Sequence, residues 1–124
     1  MKLDFSQTDE TSLAALGHEA SFMLARRDFS GLAKQFGYAL KFDRPTAAAL
    51  EEDFLSAAAS PHEISGEAPE IVVKYFSPNN TCLFALVECY VRVLETASVL
   101  MELIVTGERG EMDVTIEHIS GASP

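Results

Sequence analysis

A chain of 124 residues, 48% of them apolar, suits one domain with a proper hydrophobic core and argues against an intrinsically disordered chain. Nineteen acidic residues against nine basic ones set a net charge of −10. That balance argues against nucleic acid and anionic membranes, which need clustered Lys and Arg, and it would steer a basic partner towards the protein.

Met1 to Phe5 reads as a short extended lead-in. Ser6 to Ser12 is rich in residues that cap helix N-termini, and Leu13, Leu16, Ala20, Met23 and Leu24 then recur at helical spacing. The first helix is expected over about 9–27, with Arg26-Arg27 suiting its C-terminal end. Asp28 can cap a shorter second helix, in which Leu32, Ala33 and Phe36 share a face and Gly37 is the terminator. Residues 38–42 fit either an extension of that helix or a short strand. Pro45 opens a third helix over about 45–59, with Ala47, Leu50, Phe54, Leu55 and Ala58 inward. Ser60 to Pro69 is the one real loop. Ile71 to Phe76 is a strand by composition, and Ser77-Pro78-Asn79-Asn80 turns the chain back.

The stretch from Thr81 to Ile119 fits two templates. With a period of two, Leu83, Ala85, Val87, Cys89, Val91 and Val93 form one apolar face; with a period near 3.6, Glu88, Arg92, Glu95 and Glu102 line one side of a long helix. Frequent β-branched residues favour strands. The alternation resumes in Val99, Met101, Leu103 and Val105, and again in Met112, Val114, Ile116 and His118 after a turn with Gly107 and Gly110. Three such runs make an antiparallel meander. Thr96-Ala97 lacks tight-hairpin chemistry, so a helix running through it is the rival. The fold expectation is a single α+β domain over residues 1–124, its N-terminal helices packed on a curved antiparallel sheet of about four strands.

Arg27-Asp28-Phe29-Ser30-Gly31-Leu32-Ala33-Lys34-Gln35-Phe36 and the final meander resemble the NTF2-like (cystatin-like α+β) superfamily, although Met112 stands where that family usually carries an aromatic residue. The resemblance implies helices filling the hollow of a curved sheet, and in many members a small apolar ligand held between them. It implies that Tyr38 and Asp43 lie near a pocket mouth. Some members are isomerases or dehydratases, which need an acid or base inside an apolar pocket.

No phosphate loop, nucleophile elbow or metal-spaced His/Cys set is present, so no catalytic residue, metal or cofactor is assigned. His18 and His62 read as solvated, whereas His118 alternates with the inward residues of the last strand. Tyr75 shares a strand face with Ile71 and Val73. Tyr38, Asp43, Tyr75 and His118 are therefore the candidate ligand-binding residues. Cys82 and Cys89, seven residues apart, are poorly placed to bridge within one element. No basic segment followed by an apolar run opens the sequence, and Glu88, Arg92, Glu95 and Glu102 interrupt the longest apolar stretch below the roughly 18 residues of a membrane span. The expected location is the cytoplasm, with reduced thiols.

The opposite face of the meander would combine Val72, Phe76, Phe84, Leu86, Tyr90, Leu94, Leu100 and Ile104 with Lys74, Glu88, Arg92 and Glu102. That mixture is too apolar for a solvated face and resembles an interface. Phe84, Leu86, Glu88, Tyr90, Arg92 and Ile104 are its candidate core, expected to form a homodimer. The first functional expectation is a non-enzymatic dimer binding a small apolar ligand or a protein partner. The second is an immunity or inhibitor-type protein masking a basic enzyme through Glu51, Glu52, Glu63, Glu67 and Glu70. The third is an isomerase or dehydratase of the resembled superfamily, relying on Asp43 or His118.

Overall fold

The computed structural model describes residues 1–58, 68–77, 80–94, 97–108 and 111–122. Most of the expected loop at Ser60–Pro69, with His62, Glu63 and Glu67, lies outside the described residues, as do Pro78, Asn79, Thr96 and Gly110 in the turns.

The apolar half of the chain forms strands. β3 (Leu83–Leu94), β4 (Ala97–Glu108) and β5 (Glu111–Ala122) make an antiparallel meander, and the pairs Val87↔Leu103, Cys89↔Met101 and Val91↔Val99 put alternate apolar residues on one buried face. The rival helix through Ala97 is thereby excluded. β2 (Glu70–Tyr75) pairs with β3, and β1 (Lys2–Leu3), the extended lead-in, pairs with β5. The sheet order is β1-β5-β4-β3-β2, so it has five strands where about four were expected.

Three helices cover the buried face. α1 (Glu10–Ala25) lies on β2 and β3, α3 (Thr46–Ala58) lies on β5 and β4, and α2 (Phe29–Gln35) packs between them. Asp28 caps α2 as expected, and Asp9, one of the cap-rich run from Ser6 to Ser12, caps α1. The Asp9 side chain accepts from the Ser12 N–H at 3.2 Å, and Asp28 accepts from the Gly31 N–H at 3.0 Å. α1 approaches the sheet most closely at Gly17, where a Cβ would stand 2.9 Å from both Ile71 Cγ2 and Val87 Cγ1. The space between helices and sheet is occupied by Leu13, Leu24, Leu32, Leu50, Phe54 and Met101, all fully buried. Leu55, expected inward, is instead exposed, because α3 turns Leu50, Phe54 and Ala58 to the core. Residues 38–42 form neither a helix nor a strand: Tyr38 makes a single parallel bridge to Ile116 before the chain turns.

Two bulges overturn two of the face assignments. Leu103 pairs with Ile116 and Glu102 with His118, which leaves Glu117 as the extra residue. Alternation therefore shifts by one, Ile119 is buried, and His118 stands with Glu102 on the outer face. At the start of β3, Thr106 pairs with Leu83 and Val105 with Ala85, so Phe84 is the extra residue. It packs on the helix side against Tyr75, with ring centroids 5.7 Å apart, and against Phe5 at 6.1 Å. Phe84 consequently leaves the outer-face set.

Candidate functional site

The four expected ligand residues do not converge. Tyr38 lies beside β5 at one edge of the sheet, and Tyr75 lies on β2 at the other, where its hydroxyl donates to the Thr8 carbonyl at 2.7 Å. Asp43 is exposed on a turn, and His118 is on the outer face. Tyr75 thus lies across the sheet from Tyr38.

Tyr38 belongs to a different constellation. Its hydroxyl donates to Asp53 Oδ2 at 2.5 Å, and Arg44 grips the same carboxylate with Nη1 at 3.0 Å and Nη2 at 3.2 Å. Arg44 also donates to Glu52 at 3.1 Å and to the Leu40 and Lys41 carbonyls, each at 2.7 Å. Its five N–H groups are thus all engaged. The Arg44 guanidinium holds the Asp53 carboxyl below its usual range, with Tyr38 adding to the effect. Burial, then the Asp53 carboxylate, pushes the Tyr38 phenol well above its ordinary value. This clip ties residues 38–44 to α3. It offsets the strain of two consecutive left-handed residues, Phe42 (φ 47°) and Asp43 (φ 64°), a conformation that costs on the order of 1–3 kcal/mol at a non-glycine position.

Tyr38→Phe is expected to cost about 1.5 kcal/mol at neutral pH, because it removes a partly buried hydrogen bond to a charged acceptor. The folded state holds the Tyr38 proton more tightly than the unfolded chain does. This contribution is therefore complete below the unfolded value, near pH 10, and is lost as pH rises through the folded one. Denaturant unfolding of both proteins should show the gap between them narrowing above about pH 10; a gap unchanged by pH would refute the assignment.

Beside the clip lies an open groove of about 510 Å³, lined by Leu40, Phe42, Asp53, Ser56, His118 and Ser120 among others. Arg44 has no donor left for an anion, and Asp53 is committed to the clip. Among the described residues there is no cluster of three or more His, Cys, Asp or Glu able to hold a metal ion.

The outer sheet face carries a more coherent arrangement. No described element packs over it, and Val72, Leu86, Tyr90, Leu100 and Ile104 are each half-buried there by their neighbours alone. The side chain of Leu94 lies outside what is described. Glu88 and Glu102 stand directly opposite each other on the two adjacent strands β3 and β4. Like charges in that position repel, and the Lys74 ammonium relieves them on the Glu88 side. Lys74 Nζ reaches Glu88 at 2.8 Å, and His118 Nδ1 lies 3.7 Å from Glu102. Glu88 is 8% exposed, and its bond raises the Lys74 ammonium above its usual value. Arg92 completes the face beyond Tyr90.

Cys82 is exposed and Cys89 is buried, and neither is bridged. Burial pushes the Cys89 thiol up to about 12, which keeps it protonated. Sequence reasoning overlooked Arg44 and Asp53, which sit in a turn and on a helix, nine residues apart, with no motif joining them. No described helix is long and apolar enough to cross a membrane. Comparison of the chain with protein-family models, with curated proteins and with solved structures found no match.

Proposed function

We propose that the domain is a non-enzymatic binding module that docks a basic protein partner on the open face of its sheet. The observation carrying this reading is the paired Glu88 and Glu102 at the middle of that face, ringed by half-exposed Val72, Leu86, Tyr90, Leu100 and Ile104. Apolar side chains around the carboxylates exclude water once a partner covers them, which strengthens a charge pair made at the centre. A Lys or Arg reaching Glu102 would add a charge-assisted bond beside the existing Lys74–Glu88 pair. The net charge of −10 speeds the encounter with such a partner.

A two-fold dimer through the same face is the second reading. It would bury the apolar ring, but an axis through the centre brings four carboxylates together, and that electrostatic penalty favours the basic partner. Masking of a basic enzyme is one form the first reading could take; Glu51, Glu52 and Glu70 are exposed, although the first two lie on α3, away from the sheet face. The NTF2-like resemblance rests on the run from Arg27 to Phe36 and on the final meander. A ligand held between the layers has little support where Leu50, Phe54 and Met101 occupy the space. The isomerase or dehydratase reading is weakened by the exposure of Asp43 and the outward position of His118.

Two variants with the same charge change test the proposal. Glu102→Lys alters the face, whereas Glu51→Lys alters the helical side. Immobilised wild-type protein should retain a basic protein from extract at low salt and release it as screening rises. Glu102→Lys should abolish retention, while Glu51→Lys should weaken it less than about tenfold, a difference of about 1.4 kcal/mol. Equal losses from both would reduce the effect to bulk charge and overturn the reading.

A further inference from the structure

The two edges of the sheet differ. The first half of the β5 edge, Met112 to Ile116, is covered by β1 and by the Tyr38–Ala39 segment, whose Ala39 N–H bonds the Ile116 carbonyl at 2.8 Å. Among the described residues, nothing pairs with the outer edge of β2. The direction of its free groups follows from one bond. Phe76 N–H donates to the Phe84 carbonyl at 2.9 Å next to the Tyr75↔Ala85 pair, so Glu70, Val72 and Lys74 bond β3. The N–H and C=O groups of Ile71, Val73 and Tyr75 therefore point outward.

We propose that this edge pairs with the same edge of a second copy, antiparallel, about a two-fold axis at Val72. In that register Ile71 of each chain exchanges both backbone bonds with Val73 of the other. Each Tyr75 N–H meets the carbonyl of the partner's Pro69. Pro69 itself has no N–H to leave unsatisfied, so the repeat ends without a stranded donor at that position.

The side chains choose the same register. Glu70, Val72 and Lys74 share the outer face, so the axis sets each Glu70 opposite the partner's Lys74 and Val72 opposite Val72. Lys74 is 59% exposed and already reaches Glu88; its remaining donors can serve a second carboxylate. Tyr75 and Phe76, exposed at 47% and 40%, would cover the partner's Pro69 end. A register displaced by two residues per chain loses both ion pairs. The product is one continuous ten-stranded sheet whose two outer faces lie side by side, offering a partner protein two docking sites at once. A strand of six residues buries little area, so the dimer should be weak, on the order of 10 µM.

Complementary charge reversal tests this. Glu70→Lys makes both facing side chains cationic in its own dimer, and Lys74→Glu makes both anionic. Mixed together, the two variants oppose unlike charges at both positions. Sedimentation at about 100 µM, roughly tenfold above that order-of-magnitude dissociation constant, should show wild type largely dimeric, each variant monomeric and the equimolar mixture dimeric. Circular dichroism of each variant checks that both are folded. A monomeric wild type, single variants that dimerise as well as wild type, or a mixture that stays monomeric would each overturn the proposal. Failure here leaves the Glu102→Lys result untouched, because the two experiments read different surfaces.

Discussion

Phe54→Ala is expected to destabilise the domain by about 3–5 kcal/mol, a large part of the roughly 5–15 kcal/mol that holds a domain of this size together. Phe54 is fully buried on α3, its ring 5.8 Å from that of Phe29 on α2. It fills the space where both helices meet the sheet, alongside Leu50 and Met101. Removing the ring leaves a cavity that three elements would have to collapse together to fill. At about 4 °C per kcal/mol, the melting temperature should fall by roughly 15 °C. Phe54→Leu keeps most of the volume and should lose less than half as much. Denaturant unfolding measures both. A loss below about 1 kcal/mol for the alanine variant would mean the ring does not carry the core.

How far the sequence reveals this fold depends on the length of the pattern. The strand reading of 83–94 succeeds because four consecutive inward positions, Ala85, Val87, Cys89 and Val91, are all apolar, and the next two strands repeat the alternation. The helices are legible through Asp9 and Asp28, whose side chains accept where N-caps should. Single-residue bulges break the reading locally. The displacement at Glu117 does leave a trace, since the apolar residues run 112, 114, 116 and then 119, a step of three inside a period of two. Phe84 leaves none, because Leu83, Phe84 and Ala85 are apolar at every step. β1 is too short and too plain to announce itself; only its pairing partner makes it a strand.

The candidate surfaces divide the same way. The outer face is legible because the residues sharing it follow from strand parity, and Leu86, Glu88, Tyr90, Arg92 and Ile104 lie where parity puts them. The Tyr38–Asp53–Arg44 clip is not, because it joins a bridge residue, a helix and a turn that only the folded chain brings together. Nor is the open edge of β2, since strand order decides which strand is last and a list of strands carries no order.

The second large effect is at Gly17. Glycine in the middle of a helix costs about 1 kcal/mol relative to alanine, so its presence in α1 needs a reason. The reason is contact. Ile71, Val87 and Cys89 press against the helix backbone there, and the Cys89 thiol lies 3.7 Å from the Gly17 carbonyl. Gly17→Val would drive two methyl groups into branched side chains that have little rotamer freedom to retreat, so α1 must lift from β2 and β3. The expected loss is roughly 3 kcal/mol. Gly17→Ala gains helix propensity but places a Cβ 2.9 Å from both Ile71 Cγ2 and Val87 Cγ1, so it should also destabilise, by about 1 kcal/mol and less than valine. Cys89 reports the displacement directly. Buried and protonated, it should resist a thiol reagent in the wild type once Cys82 is changed to serine, and should react many times faster in Gly17→Val under native conditions. Because α1 rests on both β2 and β3, the same variant should also weaken dimerisation through the β2 edge, while Phe54→Ala, which loosens the far end of the core, should leave the folded fraction able to dimerise. Equal thiol protection in Gly17→Val and wild type would mean that the helix does not rest on the sheet at this point.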